Sequence, residues 1–135
     1  MSTRLEILSE EECRRLLEMG EVGRVGITVQ GVPEILPVNY RMIDENVVFR
    51  SGIGTKLHAA TLDAPIAFEV DEFDTVTLSG WSVLVVGFSK EVTDPRAIED
   101  ALATLPDGWA PGENATVIRL EAVRISGRRI LRSGT

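Results

Sequence analysis

The chain has 135 residues, 44% of them apolar, and a formal net charge of −7. That length and apolar content fit one packed domain over residues 1–135 and exclude a disordered chain, while the acidic balance argues against nucleic acid, whose binders carry a basic face. Cys13 is the sole cysteine, so no disulfide framework exists and a reducing cytoplasm is the expected location.

Met1-Ser2-Thr3-Arg4 is followed by Glu6 and by Glu10 to Glu12, so a secretory leader is not expected here. No apolar run approaches the roughly 18 residues of a membrane span. Ser9-Glu10-Glu11-Glu12 is a capping box, with Ser9 at N-cap and Glu12 at N3. Cys13, Leu16 and Leu17 recur at helical spacing, and Gly20 stands where a C-cap glycine belongs. The period then changes: Val25, Ile27 and Val29 alternate with Gly26 and Thr28, as in a strand. Gln30-Gly31 signals a hairpin turn. Val32 to Met42 reads as a second strand, with Pro33 and Pro37 marking an edge or a bulge. Asp44-Glu45-Asn46 turns the chain into the strand Val47 to Ser51.

A glycine loop, Gly52-Ile53-Gly54-Thr55-Lys56, comes next, and Leu57 to Leu62 resembles a short helix ending before Pro65. Ile66 to Phe73 is a strand. Leu78 to Thr93 is valine-rich and reads as one long strand bent near Gly87. Asp94-Pro95 opens a second helix through Leu105, with proline at N1. Pro106 to Asn114 is loop, and Ala115 to Val123 and Arg124 to Leu131 supply two closing strands. Strands in hairpin succession, interrupted by two or three short helices, predict a mostly β fold. The expected form is an antiparallel sheet closed into a small barrel.

The catalytic inventory is thin. With one histidine, His58, and one cysteine, no His/Cys metal cluster is expected, and no catalytic residue stands out. Cys13 fits the apolar face of its helix, and His58 fits a helix surface or interface. If the chain is an enzyme, a cofactor carries the hard chemistry. The best anchor for one is Arg50-Ser51-Gly52-Ile53-Gly54-Thr55-Lys56. Two glycines let amide N–H groups converge on an anion, Ser51 and Thr55 add hydroxyls, and Arg50 and Lys56 add positive charge. The stretch is neither a Walker A loop nor G-x-G-x-x-G. Spacing alone leaves open a phosphate site and an ordinary solvated turn.

Four stretches carry a resemblance. They are Leu36-Pro37-Val38-Asn39-Tyr40; Val48-Phe49-Arg50-Ser51-Gly52 through Gly54-Thr55-Lys56-Leu57; Ala67-Phe68-Glu69-Val70-Asp71; and Gly80-Trp81-Ser82-Val83-Leu84-Val85-Val86-Gly87. In this order and spacing the chain resembles the pyridoxamine 5′-phosphate oxidase-like, FMN-binding split-barrel superfamily in its short form. The resemblance spans residues 5–131 and implies a six-stranded split barrel, an FMN cofactor and a homodimer with flavin in a cleft between protomers. It implies cofactor contacts from Pro37, Val38, Asn39 and Tyr40, then from Arg50 and Ser51. Lys56 would reach the phosphate with Thr55 beside it. Trp81 and Ser82 would contribute a flavin contact, often from the partner's side. True pyridoxamine phosphate oxidases are longer and use a C-terminal segment to grip their substrate. Here the sequence closes on Arg128-Arg129-Ile130-Leu131-Arg132, so a vitamin B6 substrate is not expected. The implied function is an FMN-dependent oxidoreductase passing hydride or electrons to a small-molecule acceptor. The alternative is a carrier or sensor holding flavin, deazaflavin, heme or another tetrapyrrole without turnover.

Overall fold

The computed structural model describes residues 2–52, 63–106 and 115–133. Strand β1, Ser2–Ile7, precedes helix α1, Glu10–Met19. Ser9 caps α1 as the sequence predicts, its hydroxyl accepting from the Glu12 amide at 3.2 Å. Strands β2, Val22–Val29, and β3, Val32–Ile43, form a hairpin whose turn residues Gln30 and Gly31 both have positive φ, 50° and 79°. That is the turn chemistry matching strand twist. A second such turn at Asp44 and Glu45, φ 49° and 66°, leads into β4, Asn46–Gly52. Strand β5, Pro65–Asp74, and β6, Ser79–Glu91, follow, then helix α2, Pro95–Thr104, and β7, Ala115–Ser133. Asp94 caps α2 through the Ala97 amide at 3.0 Å, with Pro95 in the first turn.

The strands form a single antiparallel sheet ordered β1-β7-β4-β3-β2-β5-β6, and β6 also pairs with β7. That additional pairing closes β2 to β7 into the expected six-stranded barrel, and β1 is a seventh strand laid along β7. The bend expected near Gly87 is a register shift between Val86 and Gly87 where β6 meets β7. Pro33 and Pro37 lie on the part of β3 that bonds β2 alone among the described residues, because β4 joins only from Tyr40 onward. An open edge is where a residue without an N–H is tolerated.

Two expectations change. The two closing strands are one continuous strand, β7, which bonds β4 through Ala115 to Leu120 and β6 through Ile118 to Ile130. Helix α1 does stop at Gly20, but not in the left-handed conformation of a glycine cap: φ is −84°. Glycine is needed because a Cβ there would collide with the Tyr40 hydroxyl. The helix expected over 57–62 lies outside the described residues.

Inward residues of β2 to β7 and one face of α1 make the main core, with Leu17, Tyr40, Phe49, Phe68, Ile118 and Leu120 almost fully buried. Tyr40 and Phe68 meet edge to face at 4.8 Å between centroids. A smaller cluster joins Val48 and Val117 to Ala101 and Leu105 beneath α2.

Candidate functional site

Strand alternation sorts the predicted site residues. Along β3, Val38 and Tyr40 are buried while Pro37 is exposed and Asn39 half-buried. The Tyr40 hydroxyl donates to the Leu17 carbonyl at 2.7 Å, tying β3 to the last turn of α1. Burial, more than the nearby Glu18 charge, pushes its phenol up to about 12. It is therefore a neutral donor at ordinary pH. The outer face of the barrel receives Pro37 and Asn39, whereas Val38 and Tyr40 turn their side chains to the core. Tyr40 pairs with Phe49 across the sheet, so the next positions, Asn39 and Arg50, are neighbours at the same level. Arg50 is half-buried and Ser51 fully buried, both near the end of β4. Thr55, Lys56 and His58 lie outside the described residues.

Trp81 and Ser82 sit elsewhere, on β6. They line a cleft of about 310 Å³ with Asp71, Glu72, Phe73, Gly80, Arg128 and Ile130. Trp81 also packs against the main core, and Phe73 is 54% exposed. The β5–β6 register pairs Asp71 with Ser82, and Ser82 in turn faces Arg128 of β7. Thus an aromatic wall, a hydroxyl, a carboxylate and a guanidinium meet in one cleft. Because β2 and β5 lie between β3 and β6, Asn39 and Ser82 are three strand spacings apart, roughly 14 Å. The chain therefore holds two groups of predicted residues, Asn39 with Arg50 and Ser51, and Trp81 with Ser82, and does not bring them together.

Between them lies a cluster that sequence reasoning did not single out. Arg24 of β2 donates through Nη1 to Glu69 Oε1 at 2.9 Å and to Asp71 Oδ2 at 3.1 Å. These residues line a groove of about 390 Å³ with Gly26, Ile35, Ala67, Phe68 and Leu84. Burial first, and the facing Asp71 carboxylate second, push Glu69 up to about 7 against the opposing pull of Arg24. Parity was the available signal. Glu69 and Asp71 alternate with the apolar Phe68 and Val70, and Arg24 sits between Gly23 and Val25. Their meeting, however, depends on the β2–β5 register, and these strands are far apart in sequence.

The Cys13 thiol is raised by burial and then by Glu12 and Glu10, so it is an inert packing group as expected. Among the described residues there is no cluster of His, Cys, Asp or Glu able to hold a metal ion. No described helix is long and apolar enough to cross a membrane.

The sequence pattern of the family described as pyridoxamine 5′-phosphate oxidase matches residues 9–129. The chain belongs to the pyridoxamine 5′-phosphate oxidase family. An uncharacterized Mycobacterium tuberculosis protein is 32% identical over 129 residues, covering 92% of this chain and 84% of that protein. Among solved structures of similar shape, one is described as the FAD binding protein from Mycobacterium smegmatis. It is 32% identical, covers 92% of this chain and 98% of its own, and superposes with a TM-score of 0.77. A Corynebacterium glutamicum structure described as a putative pyridoxamine 5′-phosphate oxidase is 24% identical. It covers 99% of both chains, with a TM-score of 0.81, and establishes the shared fold. The family membership agrees with the split barrel that the strand order closes.

Proposed function

We propose that this chain binds a flavin nucleotide in a cleft completed by a second copy of itself and passes hydride or electrons to a small-molecule acceptor. The carrying observation is the split of the candidate residues into two separate groups on the barrel wall. Asn39, within β3, neighbours Arg50 near the end of β4, with Ser51 buried next to it, and Trp81 and Ser82 line a cleft on β6. The 32% identical M. smegmatis relative, described as an FAD binding protein, supports a flavin. The sequence expectation is FMN, so FMN and FAD are the two ligands to compare.

The residues present fit such a group. An isoalloxazine ring needs an aromatic or apolar wall with few polar contacts, and the β6 cleft supplies Trp81, Phe73 and Ile130 with Ser82 and Arg128. A phosphate needs cations and donors, which Arg50 provides beside the glycine-containing stretch that carries Thr55 and Lys56. At about 310 Å³ that cleft is at the lower end of ligand-pocket sizes, which favours walls from two copies. A bound flavin supplies the hydride and electron chemistry, so the protein need only bind, orient and shield the ring. Val38 and Tyr40 would support Asn39 from beneath, holding the strand rather than presenting side chains to the ligand.

The test is a visible spectrum of the purified protein, followed by titration with FMN, FAD and riboflavin. Saturable binding of FMN or FAD is expected, then bleaching by NADH or NADPH and recovery on adding a quinone or nitro-compound. Binding without bleaching would make the chain a flavin carrier. Failure to bind either nucleotide would overturn the proposal.

A further inference from the structure

Strand β1 stands at one end of the sheet order and bonds β7 along a single edge, in an unbroken register from Ser2 with Ser133 to Ile7 with Arg128. Among the described residues no strand lies against its other edge. Sheets normally guard such an edge with repelling charges, prolines or bulges, because bare backbone N–H and C=O groups template pairing with another chain. Residues 2–7 hold no proline and no bulge, and their two charges are of opposite sign. Arg4 and Glu6 share one face, 3.0 Å apart, with Glu6 also 3.8 Å from Arg129. Thr3, Leu5 and Ile7 share the other face, where Leu5 is 52% and Ile7 80% exposed.

We infer that this edge pairs with the same edge of a second copy, antiparallel and centred on Leu5, so that two sheets become one through β7-β1-β1-β7. The edge uses none of the residues proposed to hold a flavin, so the inference is independent of that reading.

The side chains select the register. A two-fold axis perpendicular to the sheet keeps each face, so every residue opposes one from its own face. Centring on Arg4 sets two guanidiniums directly opposite each other, and centring on Glu6 does the same to two carboxylates. Like charges so placed destabilise a ladder. Centring on Leu5 sets Arg4 against Glu6 of the second copy, twice. The same register puts Leu5 against Leu5 and Ile7 against Thr3, giving each exposed apolar side chain a cross-strand neighbour. Thr3-Arg4-Leu5-Glu6-Ile7 is thus complementary to its own reverse. Backbone hydrogen bonds and the apolar pairs supply the attraction. The charges are largely exposed, so they fix the register more than the affinity.

Single cysteines test the register, since the native Cys13 is buried. Under mild oxidation the flavin-free Leu5→Cys chain should form a covalent dimer. Ile7→Cys alone should not, because its two thiols would stand roughly 13 Å apart along the strands, beyond disulfide reach. Ile7→Cys mixed with Thr3→Cys should crosslink. Charge reversal tests the pairing without oxidation. In sedimentation at micromolar concentration, Arg4→Glu should raise the dissociation constant roughly tenfold or more, and the double variant Arg4→Glu/Glu6→Arg should restore it. Arg96→Glu, the same change on exposed α2, should leave it unchanged. If Glu6→Arg loosens β1 from Arg129, the cysteine pattern alone decides. A monomeric wild type, an Arg4→Glu constant equal to that of wild type, or Leu5→Cys crosslinking no faster than Ile7→Cys would overturn the inference. Flavin titration is read separately. A chain that shows the cysteine pattern but binds no flavin would sink the cofactor reading and leave the edge pairing standing, and a flavin-binding chain without the pattern would do the reverse.

Discussion

The two faces of the barrel wall are built for different purposes, although the same strands make both. The inner face is packed: Tyr40, Phe49, Phe68 and Leu17 fill it, and its one buried phenol is satisfied by a helix carbonyl 2.7 Å away. The outer face over β2, β5 and β6 is half covered. It carries a three-membered charge cluster, an exposed isoleucine and two clefts. The difference teaches where to seek function in a chain whose sequence holds a single histidine. A satisfied interior has nothing left to offer a ligand, whereas polar groups set among uncovered apolar residues do.

Substitutions on each face should separate stability from binding. The largest effect belongs inside. Tyr40→Ala should cost about 3–5 kcal/mol of unfolding free energy, as emptying a buried aromatic site does, measured by urea denaturation. A loss below about 1 kcal/mol would mean that the interior tolerates a void and that the contrast is overstated. Next is the phosphate anchor expected from the sequence. Lys56→Ala should weaken FMN binding by roughly 1.5–3 kcal/mol, or about 10- to 150-fold, while riboflavin, which lacks the phosphate, binds both proteins alike. Equal FMN affinities would reduce the glycine loop to a turn. Ser51→Ala should weaken FMN binding by about 1 kcal/mol, the usual worth of one neutral hydrogen bond, and a titration indistinguishable from wild type would remove Ser51 from the site.

The smallest effect is a matter of pH. Glu69 is held at about 7, above the 4.5 of a free glutamate, by burial and by Asp71. The folded chain thus keeps a proton that the unfolded chain releases. Its stabilising contribution is fully present below the unfolded value and is lost as pH rises through about 7. Glu69→Gln should flatten the dependence of the urea midpoint on pH between about 5 and 8. Parallel wild-type and variant curves would show that Arg24 already holds Glu69 ionised.

Much of this was legible in the sequence because local chemistry fixed it. The capping box at Ser9, the positive-φ turns at Gln30-Gly31 and Asp44-Glu45, and Pro95 at the start of α2 all act within four residues. Strand β1 was missed because it is an almost wholly exposed strand of the outer edge, where Leu5 and Ile7 alternate with Arg4 and Glu6 too briefly to mark a strand. Strand β7 was read as two because Glu121 to Arg124 are all exposed at the bulge facing Val86 and Gly87, which interrupts the pattern without ending the strand. Gly20 was placed correctly for the wrong reason, since its constraint comes from Tyr40, twenty residues on. At the site, Trp81 and Ser82 were found by resemblance. Arg24, Glu69 and Asp71 were not assembled, because their contact exists only once two distant strands are in register.

Strand β7 also imposes an order of events. It bonds β4, β6 and β1, all earlier in the chain, with Ser133 paired to Ser2 at the far extreme. While the polypeptide is being synthesised, the strands up to β6 can form only an open sheet, with β4, β6 and β1 lacking this neighbour. Closure must wait until β7 has cleared the ribosome and paired with β4 and β6, and β1 then docks on β7 across more than a hundred residues. Such non-local pairing is slow and leaves bare strand edges exposed in the meantime. The nascent chain's most vulnerable interval is therefore the one just before β7 arrives.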